Sequence, residues 1–208
     1  MVVAFIGEHD RQRIRAAIEA AERRTRGEFV TVIAREADDY LYIPMLWAAL
    51  VALSVPWLVS WAGQPWLSAH SYTAQIVSFV LIALLFRLPV IKHRLIPRAV
   101  QYRRAHRLAL EQFLEQGLHT TSERTGVLLF VSVAEHYVEI IADKGINDRV
   151  APGTWDDVVA KFLSQVRRRR IADGFVETIE ACGDLLEAHF PATDEYHSEL
   201  PDHLIELA

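Results

Sequence analysis

Apolar residues crowd the middle of this chain. From Tyr40 to Trp61 the sequence reads YLYIPMLWAALVALSVPWLVSW with no charged side chain. A second run, Tyr72–Val90, reads YTAQIVSFVLIALLFRLPV with Arg87 as its only charge. A helix needs roughly 20 mainly apolar residues to cross the hydrocarbon layer, so both runs are long enough. Two buried core helices are the other arrangement open to such runs, but a domain of this size rarely needs two neighbouring ones. Aromatic residues stand where bilayer interfaces would fall: Tyr40, Tyr42 and Trp47 at one end, Trp57, Trp61, Trp66 and Tyr72 at the other. Arg87 is one turn from a span end and can snorkel, and Pro56 and Pro89 fall near span ends.

The short linker Ala62–Ser71 (AGQPWLSAHS) carries no charge and predicts a hairpin, so the two spans run antiparallel and both flanks share one side. Lys92, Arg94, Arg98, Arg103, Arg104 and Arg107 follow the second span, and Arg23, Arg24, Arg26 and Arg35 precede the first. The excess of Lys and Arg places both flanks, and so both termini, in the cytoplasm of a multi-pass inner-membrane protein. The opening MVVAFIGEHD has no basic region ahead of an apolar core and does not read as a signal peptide.

Outside the apolar runs the periodicity changes. Residues 8–26 predict a helix with Ile14, Ala17, Ile18 and Ala21 on one face, ended by Gly27. Glu28–Arg35 predicts a strand. Ile96–Gly117 predicts a helix opened by Pro97 and closed by Gly117, with Val100, Leu108, Leu110, Phe113 and Leu114 among its apolar positions. Gly126–Val133 is nearly all apolar, as a strand covered on both faces would be, and His136–Asp143 follows as its antiparallel partner, with Lys144-Gly145 turning the chain. Trp155–Arg168 predicts a helix with Asp156 and Asp157 in its first turn and arginines from Arg167 to Arg170 at its end. That arrangement complements the helix dipole, and it reads as a helix terminus rather than a phosphate clamp. Asp173–His189 predicts the last helix, with Phe175, Ile179, Leu185 and Leu186 inward and Pro191 beyond its end. The tail from Thr193 has acids and no Lys or Arg, and reads as loose.

One helix and one strand cannot close a core, so the first strand must join the later two. The fold class expected is α/β: a small α/β sandwich split by an inserted two-helix transmembrane hairpin. The parts are residues 1–39 and 92–191 of one soluble domain, a hairpin over 40–91, and an acidic tail over 192–208. Composition agrees. The 208 residues are 51% hydrophobic and 24% charged with net charge −5, which excludes a disordered chain and gives no basic footprint for nucleic acid. A single cysteine, Cys182, excludes an intramolecular disulfide framework and a cysteine-rich zinc module.

The segments RTGVLLFVSVAEHYVEIIADKGI (Arg124–Ile146), Trp155 and GDLLEAHFP (Gly183–Pro191) resemble the bacterial branch of the TPM domain family, the domain of thylakoid phosphatase-like and photosystem-repair proteins. ERRTRGEFVTV (Glu22–Val32) is similar to that family's first helix and strand. The resemblance implies a compact α/β sandwich, with a membrane hairpin inserted in membrane-bound members. It also implies acid phosphatase activity in some relatives, divalent metal such as calcium in some, and roles in assembly or repair of membrane complexes. Where other members have a glycine-rich turn after the hairpin, this chain has Asp143-Lys144-Gly145.

A phosphate-ester hydrolase needs a nucleophile or a metal-activated water, with cationic stabilisation of the phosphoryl group. The sequence contains no P-loop, HExxH or zinc-ligand spacing. Glu28, Asp143 and Asp148 form the best acidic set, at strand ends that can converge on Ca²⁺ or Mg²⁺; ordinary turn acids are the other reading. His119 and His136 flank the apolar strand, with Glu135 just before His136, and read as exposed turn histidines, and Cys182 reads as packing rather than a thiolate nucleophile. The basic cluster Arg103, Arg104, His106 and Arg107 reads as positive-inside topology before lipid binding.

Two functions follow as expectations. The first is a membrane-anchored cytoplasmic binding module that meets the bilayer and a membrane-protein partner, and acts in assembly, repair or regulation of a membrane complex without a required cofactor. The second is a divalent-metal-dependent phosphatase tethered to the membrane, which rests on the resemblance alone.

Overall fold

A computed structural model describes residues 6–61, 71–86, 88, 96–193 and 204–207. The chain divides into two compact units, one built from residues 1–37 and 103–208 and the other from residues 38–102.

In the first unit, helix α1 (Glu8–Glu22) leads into strand β1 (Glu28–Ala34). After the second unit come helix α4 (Arg98–Glu115), β2 (Gly126–Ser132), β3 (Tyr137–Ala142), the single turn α5 (Lys144–Asn147), α6 (Thr154–Arg167), α7 (Ile171–His189) and β4 (Leu204–Leu207). The sheet has the order β3-β2-β1-β4. β1 pairs parallel with β2 from Glu28↔Gly126 to Ala34↔Ser132, and β2 pairs antiparallel with β3. The first strand does join the later two, as its apolar character required.

Every residue of β1 and β2 is buried, because each face of the sheet is covered. Phe29 and Ile33, with Val127, Leu129 and Val131, pack under α1, α6 and α7. Val30, Val32, Leu128 and Phe130 pack with Ala105, Ala109 and Phe113, spaced four apart on α4. The first layer closes tightly through small residues: a Cβ on Gly183 would stand 3.0 Å from the Cβ of Ala21. Phe162 and Phe175 meet edge to face, ring centroids 5.2 Å apart.

Four expectations need correction. The tail is not loose throughout, since Leu204–Leu207 pairs in parallel with β1 from Thr31↔Leu204 to Ala34↔Leu207. Helix α1 stops at Glu22, four residues before the expected end, and Gly27 serves a different purpose. Its backbone runs against α7, where an added Cβ would lie 2.5 Å from Leu186 Cδ1. Lys144 and Gly145 do not make a bare turn but open α5, whose N-cap is Asp143. Pro56 sits inside its helix rather than near the end. The expected αL position of Gly117 is present, at φ 72° just past α4.

The arginine run is a helix terminus. Arg169 takes a left-handed φ of 61°, Arg169 N–H donates to Val166 O at 2.9 Å and Arg170 N–H donates to Gln165 O at 3.0 Å. That is a Schellman closure with arginine where glycine is usual.

The second unit contains α2 (Tyr42–Trp61) and α3 (Ser71–Leu85), which pack on each other. Helix α2 has 20 residues and is long and apolar enough to cross a membrane, with 17% of its most apolar stretch buried. The apolar part of α3, Tyr72–Leu85, is shorter than the expected second span. The expected hairpin linker over 62–70 with its Trp66, and Arg87, Pro89, Lys92 and Arg94, lie outside the described residues.

Candidate functional site

The parallel register places Glu28 beside Gly126, and the antiparallel register carries the row on to Asp143, whose N–H donates to Gly126 O at 2.9 Å. Side chains alternate along a strand, so Glu28, Gly126 and Asp143 share the face covered by α4. Glu28 is completely buried and Asp143 nearly so. Two of the three expected acids therefore stand in one row, on either side of a residue without a side chain.

The glycine is there because another chain segment fills its place. A Cβ on Gly126 would lie 2.3 Å from Leu118 O and 2.9 Å from Leu118 Cβ. Gly145 is packed in the same way: a Cβ there would lie 2.6 Å from the carbonyl oxygens of Glu123 and Arg124. The intervening strand lead-in is held by threonines: Thr125 N–H donates to Thr121 Oγ1 at 3.0 Å, and Thr125 Oγ1 donates to Arg26 O at 2.7 Å. Arg124 has a φ of 59°, and its exposed guanidinium reaches within 3.9 Å of Asp143 Oδ1.

Asp143 Oδ1 caps α5 by accepting from Lys144 N–H at 2.6 Å. Its Oδ2 is buried and accepts no hydrogen bond among the described residues. Asp148 is the C-cap of α5, exposed, and ion-paired to the Lys144 ammonium. Among the described residues, no group of three or more His, Cys, Asp and Glu is placed to hold a metal ion. The row offers oxygen donors, the type that hard cations take, but from two residues on either side of Gly126, whose side-chain place Leu118 fills.

Glu135 is buried and polar, which its place in a turn did not suggest. It accepts from Ala37 N–H at 3.0 Å and from the Ser132 hydroxyl, and so ties the exit of β1 to the β2–β3 turn. His136, next to it, is exposed with a left-handed φ of 52°, and His119 is exposed on a 3₁₀ turn. A third cluster had only a weak trace in the sequence, the alternation of Tyr137 and Glu139 on β3. His106 Nδ1 on α4 lies 2.9 Å from both Glu139 carboxylate oxygens, and Tyr137 Oη donates to Glu139 Oε2 at 2.9 Å. Cys182 is buried in the core, and loss of hydration pushes its thiol up to about 12, so it is a packing residue with no thiolate at neutral pH.

Residues 92–185 match the family model described as the TPM domain. Among solved structures, the chain is similar to the NMR structure of the BA42 protein from the psychrophilic bacterium Bizionia argentinensis. The TM-score is 0.63 at 19% identity, over 99% of this chain and 98% of that one, so the likeness is one of fold. No curated protein matches.

Proposed function

We propose that this chain is a membrane-anchored TPM-like binding module, acting on the cytoplasmic side of the inner membrane in the assembly, repair or regulation of a membrane-protein complex. The observation that carries the reading is the exposed apolar surface of α2 and α3: Leu53, Trp57, Trp61 and Leu81 are each more than half exposed. Water disfavours so large an apolar surface, and lipid accepts it. The hairpin interrupts one soluble fold between Ala37 and Arg103, so both of its connections belong on one side of the bilayer. The positive charge of Arg98, Arg103, Arg104 and Arg107 supports a cytoplasmic location for that side.

A washing and labelling experiment tests the topology. The full chain is expected to stay in membranes through alkaline carbonate extraction. A cysteine introduced as Ser68→Cys should react with an impermeant maleimide in intact spheroplasts, whereas Glu115→Cys should react only after lysis. Release by carbonate would refute the anchor, and external labelling of Glu115→Cys would refute the cytoplasmic placement. Native Cys182 is buried and adds little background.

A second reading has one observation in its favour. The orphaned Oδ2 of Asp143, on the row with buried Glu28, suits Ca²⁺ or Mg²⁺ and would give a tethered phosphatase its metal; Asp148 would join only by leaving Lys144.

A further inference from the structure

Among the described residues, the edge of β1 away from β2 is covered by four residues of the same chain, Leu204–Leu207. β4 lies parallel to β1, and Arg35 N–H donates to Leu207 O at 3.1 Å. All four β4 residues are half-buried, whereas the β1 residues beneath them are fully buried. Leu204 packs on one apolar layer, and Ile205 and Leu207 pack on the opposite one. Glu206 accepts from Arg11 Nε–H of α1 at 2.7 Å. Every position of the segment is therefore read: the backbone by the ladder, three apolar side chains by the two faces, and one acid by a guanidinium.

We propose that the β1 edge is an acceptor site for a short strand of pattern apolar–apolar–acidic–apolar, entered parallel to β1, and that Leu204–Leu207 is its resident occupant in cis, exchanged for a matching segment of a partner protein. Strand addition of this kind takes affinity from main-chain bonds and specificity from alternate side chains. A four-residue parallel strand contributes few ladder bonds, and a segment held by so few bonds opens locally before the rest of a fold. The edge of a central strand, once open, is a template for pairing. Arg11 then selects for the acid in the third position. The inference rests on this edge alone, and it stands or falls separately from the membrane anchor.

The test uses a fluorescein-labelled peptide with the sequence of residues 199–208, titrated into the detergent-solubilised protein. A chain ending at His203 should bind it saturably at 1:1. The full chain should bind roughly tenfold more weakly or worse, because its tethered tail competes at high effective concentration. A peptide carrying Glu206→Arg should lose affinity for the native acceptor and regain it on Arg11→Glu. A shortened chain that keeps its near-UV spectrum and cooperative melt but does not bind would overturn the proposal, as would a charge exchange without effect. So would a stable tail-exchanged dimer of the full chain, which would assign the edge to a second copy. Should the shortened chain not fold, hydrogen exchange on the intact chain decides. The Arg35 amide should exchange through local opening, well ahead of the Val133 amide bonded to Ala34 O. Equal exchange of the two through global unfolding would overturn it.

Discussion

Gly126 and Leu118 occupy one another's space: a Cβ on the glycine would stand 2.3 Å from the leucine's carbonyl oxygen. The contact is backbone against backbone, with no flexible side chain to give way. Gly126→Ala must therefore push the 3₁₀ turn at Leu118–Thr120 off the sheet. The expected loss is about 3 kcal/mol, the upper part of the overpacking range, read as a fall in the denaturant midpoint. A neutral Gly126→Ala would show that the turn yields easily.

Arg169 takes the left-handed position that ends α6. An L side chain is strained there by about 1 kcal/mol, and glycine is not. Arg169→Gly should raise the melting temperature, while Arg168→Gly, at φ −86°, should not. Equal responses to the two changes would remove the conformational explanation.

Glu135 holds the Ala37 amide and the Ser132 hydroxyl in a buried setting. Glu135→Ala leaves both donors without this acceptor, at a cost of about 2–3 kcal/mol. Glu135→Gln keeps one acceptor oxygen and should fall between it and the native chain. The three thermal melts, compared in one buffer, check the order.

The Cys182 thiol gives a pH dependence with a definite sign. Its folded value is pushed up to about 12 from 9.0 by burial, so the folded state keeps the proton that the unfolded state releases. The stabilising difference is complete below pH 9 and is lost as pH rises through the window from 9 to about 12. Within that window the slope from this group approaches about 1.4 kcal/mol per pH unit. Cys182→Ala should lower stability at pH 7 through the cavity it opens, and flatten the alkaline slope. A thiol reagent at pH 8 should label the native chain only as it unfolds.

Calcium or magnesium, titrated into the full chain, would raise its melting temperature by mass action if Asp143 and Glu28 hold a cation. The reading expects a saturable rise that Asp143→Asn removes. An equal rise in Asp143→Asn, or none at millimolar metal, would end the case for metal at this row.

Much of the fold was legible because its signals are local. The face Ile14, Ala17, Ile18 and Ala21 on α1 is a matter of spacing within one helix, as is the dipole-matched placement of Asp156, Asp157 and Arg167 on α6. The nearly continuous apolar run of β2 required cover on both faces, and the apolar interior of β1 had no partner unless that strand joined the later two. Glu28 and Asp143 were legible as acids at strand ends. By itself, then, the sequence determined the helices, the paired strands and the apolar insertion.

Tertiary structure decided what depends on register and close approach. Four residues in an acidic tail carry too little period to mark a strand, and β4 exists because β1 offers an open edge and Arg11 a partner for Glu206. Gly27 reads as a helix end, Gly126 as the start of a strand and Gly145 as a turn, yet their hydrogen-sized side chains admit Leu186, Leu118 and the Glu123–Arg124 backbone. Glu135 carries no mark in the sequence beyond its place before His136, and its buried role appears only when the end of β1 brings the Ala37 amide to it. Periodicity records which way a residue faces along its own element. It holds nothing about which distant segment arrives there, because that is fixed by pairing register and packing volume across the whole chain.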